Sequence, residues 1–161
     1  MMQLWCRLLG TILLAAAGFA AGRSFSDHLR AQWQKSSAFE HLLTYLADQL
    51  ELYARPSAEL LSGAASCPEF AVFCPQNAAA FVDLQLPKAL AQSCGAELYA
   101  GLNAVALCSR KQAPQTMRAL AAMCRRAADS QYAAVCRAAG LAPKLGLCSG
   151  LLAAVLLWPA G

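Results

Sequence analysis

The eight cysteines are the first residues to consider for chemistry, because thiolates can bind zinc, act as nucleophiles or pair as disulfides. No two of them form a C-x-x-C pair, and His28 and His41 lie far from them in sequence. Zinc ligands usually come in closely spaced pairs, so we expect no metal site. The expected alternative is reduced thiols packed as small apolar side chains. The cysteines are Cys6, Cys67, Cys74, Cys94, Cys108, Cys124, Cys136 and Cys148.

The other groups that could support catalysis form no recognisable site. Nine carboxylates are scattered along the chain, and only Asp48 and Glu51 share a predicted helix face, with Glu59 a short distance further on. The sequence has no Gly-rich phosphate loop, no G-x-S-x-G and no H-E-x-x-H. We therefore expect no catalytic residue, no cofactor and no small-molecule substrate. An enzyme that uses a cysteine thiolate is the open alternative, and it would show one thiol with an unusual alkylation rate.

Charge and composition narrow the class of protein. A net charge of +4 is small, and no basic stripe with interleaved aromatic residues is present, so nucleic acid is not an expected partner. Alanine, leucine and glutamine are frequent whereas valine and isoleucine are scarce, which favours helix over sheet. The expected fold class is all-α.

Both ends of the chain are apolar. Residues 4–22 would form about 28 Å of helix, close to the roughly 30 Å of a hydrocarbon core. The 17 residues after Lys144 would form about 26 Å of helix, so the second span is shorter. We expect an N-terminal transmembrane anchor at 1–22, a helical bundle at 23–143 and a short C-terminal transmembrane segment at 144–161.

Basic residues predict the orientation of this membrane hairpin. Arg23, Arg30 and Lys35 follow the first span and several more precede the second, whereas Arg7 is the one basic residue toward the terminal ends of the two spans. The positive-inside rule then places the middle domain in the cytoplasm and both termini on the far side.

Two G-x-x-x-G motifs lie at matching depth in the predicted spans. Gly18 and Gly22 form the first, and Gly146 and Gly150 form the second, each near the cytoplasmic end of its span. Small residues let two helix backbones approach closely, so these four glycines are the expected transmembrane packing site.

A cleaved signal peptide is the main alternative to the first anchor. Arg7 and the following apolar run could form its n- and h-regions, with a small-residue site near Ala20 or Ala21. The mature product would be a secreted helical protein with disulfides and seven cysteines, an odd number.

The middle of the chain predicts a helical bundle. Phe39, Leu43, Leu46 and Leu50 follow one another at steps of four, three and four within a long helix over 24–53, which is a bundle stripe. The stripe would serve as the core of the chain itself or as a partner surface. Shorter helices are expected at 56–62, ended by Gly63, at 78–85, capped by Asn77, and at 87–95 and 96–108. A last long helix at 115–139 is expected to be separated from the second span by Gly140 and Pro143.

The order of these parts resembles stage III sporulation protein AB of endospore-forming bacteria. The matching stretches are residues 42–50, 53–61 and 144–152, the last with a short L-G-x-x-x-G-L run. The resemblance implies a platform or adaptor of the channel between mother cell and forespore. It would lie in the outer forespore membrane on the mother-cell side, with a domain similar to the cytoplasmic domain of type II secretion platform proteins. The implied partners are other channel components, including a cytoplasmic secretion-type ATPase.

The resemblance to that family implies no catalytic residue in this chain. For partner binding we expect exposed polar positions at the end of the first long helix and in the turn after it. These are Gln49, Glu51, Arg55 and Glu59.

Overall fold

A computed structural model describes residues 2–53, 55–75, 77–109 and 111–156 of the chain. Helices dominate these residues, and no strand occurs among them. The all-α prediction is therefore confirmed. The elements are α1 (Met2–Leu52), α2 (Ser57–Ala65), a short 3-10 turn (Phe81–Asp83), α3 (Lys88–Leu107) and α4 (Ala113–Leu156). The last five residues of the expected C-terminal segment, 157–161, lie outside the described residues.

The chain divides into two compact units. Residues 32–131 form one, which we call the helical unit, and residues 1–31 together with 132–161 form the other, which we call the hairpin unit. Both α1 and α4 contribute to each unit, because each helix runs past the boundary.

The core of the helical unit is built on the predicted stripe of α1. Phe39, Leu43 and Leu46 are fully buried, and the Phe73 ring packs edge-on against Phe39 at 5.5 Å between ring centroids. Of the two alternatives for the stripe, the core of the chain itself is therefore the one that the structure shows at these positions. The other fully buried large side chains of the unit are Leu42, Leu61, Leu84, Leu90, Leu98, Leu102, Met117 and Cys124.

Pro56 separates α1 from α2, as expected. Pro56 holds φ −64° and ψ 152° as the residue before α2, because its ring fixes φ and disfavours helix in the residue before it. The prediction that Gly63 ends this helix is wrong. The helix continues to Ala65, since the apolar side chains of Leu61 and Ala64 are buried against the core on that last turn.

The predicted helix over 78–85 does not form. Instead, the Asp83 carboxylate accepts hydrogen bonds from the backbone N–H groups of Ala79 and Ala80, both at 2.9 Å, and closes a single 3-10 turn. These bonds, that of Ala80 first, hold the pKa of Asp83 below its ordinary value. Asp83 therefore takes the capping role that the sequence assigned to Asn77, and the helix restarts only after Pro87.

One of two predicted breaks is present. The break expected near Gly95 occurs as a kink at Cys94, where the non-helical φ of −146° and ψ of 24° join two helical stretches within α3. The break expected at Gly140 and Pro143 is absent, because α4 runs through both residues to Leu156. Proline removes one helical hydrogen bond, but in closely packed apolar helices such an interruption is tolerated where the neighbouring backbone compensates.

Candidate membrane anchor and docking surface

Glycines allow the two helices of the hairpin unit to pack closely. A side chain on Gly18 would clash with the carbonyl group of Gly146, and one on Gly150 would lie 2.5 Å from the Leu14 carbonyl oxygen. A side chain on Gly22 would meet the carbonyl carbon of Ala142 at 2.8 Å. As the residue numbers along α1 increase, the numbers of the residues that they contact in α4 decrease. The two helices therefore run antiparallel, with their backbones touching. The structure thus brings together all four glycines chosen from the sequence.

Pro143 also packs at this contact. Its Cα would lie 3.1 Å from a side chain on Gly22, so the bare backbone of α1 at this position leaves room for the proline turn of α4. The predicted stop at Pro143 is therefore a place where α4 lies directly against the backbone of α1.

Large apolar side chains of the hairpin unit point outward. Its described buried residues are Ser26, Val135, Gly150 and Ala154, of which only Val135 is a larger apolar residue, whereas Leu152 is 63% exposed. A water-soluble helix pair has the opposite arrangement, with large apolar side chains between the helices. Small residues inside and leucines outside are typical of helices packed in lipid. The exposed large apolar side chains are Leu9, Ile12, Leu13, Phe19, Phe25, Leu141, Leu145, Leu147, Leu151, Leu152, Val155 and Leu156.

Length and hydropathy agree with that arrangement. The part of α1 from Leu9 onward and the whole of α4 each contain a stretch apolar enough to cross a membrane, with mean hydropathies of 1.2 and 1.6. Of these stretches, 0% of the first and 11% of the second is buried within the protein. Neither is therefore the buried core helix of a soluble domain.

The helical unit carries an ion-paired cleft. Arg118 on α4 donates a hydrogen bond to Asp48 Oδ1 at 3.0 Å and a second, short one to Glu51 Oε2, and both carboxylates lie near the end of α1. These two carboxylates raise the pKa of Arg118 above its ordinary value. All three side chains are about half exposed, so the pairs are open to solvent and contribute little to stability.

The cleft has a volume of about 410 Å³. Polar and apolar groups share its surface. Its lining residues are Leu50, Glu51, Lys111, Pro114, Gln115 and Arg118.

Of the four predicted partner-binding residues, the structure places only Glu51 in this cleft. Gln49 is half-buried on α1, and its carbonyl oxygen accepts the Tyr53 N–H. The Arg55 guanidinium lies over the Tyr53 ring, 5.3 Å from its centroid. Glu59 is exposed in the first turn of α2, where a carboxylate stabilises the helix dipole.

Sequence reasoning missed Arg118 and Lys111. The shared face of Asp48 and Glu51 was visible in the helical spacing, but Arg118 is 70 and 67 residues away from them. A search for an exposed cation on the last long helix, opposite the end of α1, would have found Arg118. Such a search requires knowing that α4 runs antiparallel to α1.

The described thiols are unpaired, and two of them are buried. Among the described residues, no three His, Cys, Asp or Glu side chains lie close enough together to hold a metal ion. Cysteines 67, 74, 94, 108, 124, 136 and 148 are free. Burial raises the pKa of Cys124 to about 12 and also raises the pKa of Cys74, which makes both thiols poor nucleophiles.

The described part of the chain is thus all-helical, with two helices long and apolar enough to cross a membrane. Comparison of the chain with protein families, with curated proteins and with solved structures finds no match.

Proposed function

We propose that this protein is a non-enzymatic membrane platform or adaptor. The hairpin unit anchors it in the bilayer, and the helical unit docks other proteins at the membrane surface. The observation that carries the proposal is the inverted polarity of the hairpin unit, with glycines between the helices and leucines outside. In water these leucines would expose a large continuous apolar surface, whereas in lipid they are solvated by acyl chains.

The orientation follows from charge. Arg23, Arg30, Arg137 and Lys144 all lie on the same end of the hairpin, and Arg7 is the one basic residue toward its other end. The positive-inside rule favours a cytoplasmic helical unit and two termini on the far side. The proposed location is the bacterial cell membrane.

The specific role rests on the resemblance to stage III sporulation protein AB. The supporting features are the order of the parts and the matching stretches at 42–50, 53–61 and 144–152. On this basis the protein would belong to a secretion-like channel complex between mother cell and forespore, in the outer forespore membrane on the mother-cell side. Its direct partners would be other channel components, including a cytoplasmic secretion-type ATPase.

The docking site proposed here is the cleft at Arg118 together with Leu52, the exposed leucine next to Glu51 in sequence. Leu52 is 70% exposed. Apolar anchors surrounded by ion-pairing groups are typical of the centre and rim of protein interfaces.

Alkaline extraction and thiol labelling of intact cells test the anchor. We expect the full-length chain in the membrane pellet, and we expect Cys67, which is half-buried in the helical unit, to be alkylated only after permeabilisation. A processed, water-soluble product with a mass that indicates cleavage near Ala21 would refute the anchor and favour the secreted alternative.

Charge reversal tests the docking surface. The variant Glu51→Lys should weaken pull-down of the secretion-type ATPase or another channel component while leaving helicity unchanged. The matched control is Glu69→Lys, an exposed carboxylate on the loop after α2. Equal pull-down by the variant and the control would rule out the cleft as the docking site.

A further inference from the structure

The hairpin unit has one strongly charged end. Its residues 23–31 and 132–144 contain four cations, all exposed, against one carboxylate, Asp27. This carboxylate is the one acidic side chain in the sequence of the whole unit. The cations are Arg23, Arg30, Arg137 and Lys144.

The glycine register fixes where these cations lie along the hairpin. Measured along the helix axis from the Gly18–Gly146 contact, Lys144 and Arg23 lie about 3 and 7.5 Å toward the charged end. On the same scale Arg137 and Arg30 lie at about 13.5 and 18 Å. The cations of α1 and α4 therefore alternate along one end of the hairpin.

These spacings match the layers of a bilayer surface. The headgroup region on each side is about 5–8 Å thick, which accommodates both Lys144 and Arg23. Arg137 and Arg30 follow about 6 and 10.5 Å beyond Arg23, close to the Debye length of about 8 Å at physiological salt. Two cations can therefore touch headgroups while the other two act through the surface potential.

Apolar side chains occupy the same levels. Leu141 lies at about the level of Arg23, and Phe25 lies about 3 Å further out, and both are more than half exposed. A soluble anion would leave these two side chains in water. A lipid surface accepts both kinds of group, since apolar side chains enter the acyl boundary while cations meet phosphates.

We propose that this charged end, Lys144 and Arg23 with Arg137 and Arg30, is a binding collar for anionic phospholipid headgroups. The proposal rests on the proposed function, in which the hairpin crosses the membrane. The Arg23 guanidinium can hold a phosphate with two parallel hydrogen bonds, and the flexible Lys144 side chain can extend from the apolar level to the headgroups. The collar would make the anchor prefer membranes rich in acidic lipids.

The test uses the full-length protein reconstituted in vesicles of phosphatidylcholine and phosphatidylglycerol. Electron paramagnetic resonance of spin-labelled lipids measures how strongly the protein prefers phosphatidylglycerol in its lipid shell. The variant Arg23→Gln with Lys144→Gln should lower that preference by about fivefold for each neutralised cation at low salt. The matched control, Lys88→Gln with Arg125→Gln, removes the same charge from exposed positions of the helical unit and should retain the preference.

The outcomes separate the possible causes. Insertion with no preference for phosphatidylglycerol, or an equal loss in variant and control, overturns the collar and leaves the anchor intact. Loss of the preference with inorganic phosphate, but not with chloride at equal ionic strength, shows a soluble-phosphate site and also overturns it. A protein that is extracted by alkali from every vesicle refutes both the collar and the proposed anchor.

Discussion

Replacing Gly150 with alanine tests whether the hairpin depends on direct contact between helix backbones. The new methyl group would lie 2.5 Å from the Leu14 carbonyl oxygen and 3.0 Å from the Ala15 Cα. Because real Cβ atoms essentially never come within 3.0 Å of another heavy atom, the helices must separate locally by about half an ångström. The facing atoms belong to backbone, so no side chain can rotate away.

Gly140→Ala provides a matched control on the same helix. Nothing lies within 4 Å of a side chain at that position, so the variant gains only the better helix propensity of alanine, about 1 kcal/mol. Gly150→Ala gains the same propensity but pays an overpacking penalty of about 1–3 kcal/mol. The difference between the two variants therefore isolates the clash, and we expect Gly150→Ala to be less stable than Gly140→Ala by about 1–3 kcal/mol.

The assay is unfolding of the full-length protein from lipid bicelles by sodium dodecyl sulfate, followed by circular dichroism and tryptophan fluorescence. Gly10→Ala, also with nothing within 4 Å, is a second control within the apolar part of α1. Equal unfolding midpoints for Gly150→Ala and both controls would show that the two backbones are not in contact, and the packing argument would fail.

Three further predictions concern the helical unit. Phe39→Ala should lower the free energy of unfolding by about 3–5 kcal/mol in a thermal or denaturant titration, because the ring is fully buried in the core. Cys124 should be alkylated much more slowly than exposed Cys136 near pH 8, as measured by peptide mass spectrometry, and equal rates would contradict the burial that raises its pKa to about 12. The depressed pKa of Asp83 means that its ionised form stabilises the fold above the ordinary value near 3.8 and that this contribution is lost as the pH falls through the folded value. Asp83→Asn should therefore lower the melting temperature at neutral pH, and the gap to the wild-type protein should close in acid.

Much of the fold was predictable because it is local. Helix-favouring composition and the four-three-four spacing from Phe39 to Leu50 place a core stripe on α1, and Pro56 ends that helix before α2. The errors arose where one local signal competed with another. Asn77 had the right type for a helix cap, but Asp83 caps the backbone of this loop instead.

The site was predictable to a smaller extent. The depth of Gly18 and Gly146 could be counted from the ends of the apolar runs, so their pairing required no knowledge of the fold. The cleft could not be found in this way. The sequence groups Glu51 with Gln49 and Arg55 as a partner surface, but Gln49 and Arg55 do not line the cleft. Helical periodicity identifies the face of one helix but not the side chain that meets it from another.

The amino-acid sequence by itself determined that the chain is helical, that its two ends are apolar and that glycines recur at matching depth along them. These properties depend on residue type and spacing within a single segment. Only the tertiary structure decided that Arg118 bridges Asp48 and Glu51 and that α4 continues through Pro143 opposite Gly22. Both depend on contacts between residues far apart in the chain, and such contacts exist only once the helices have packed.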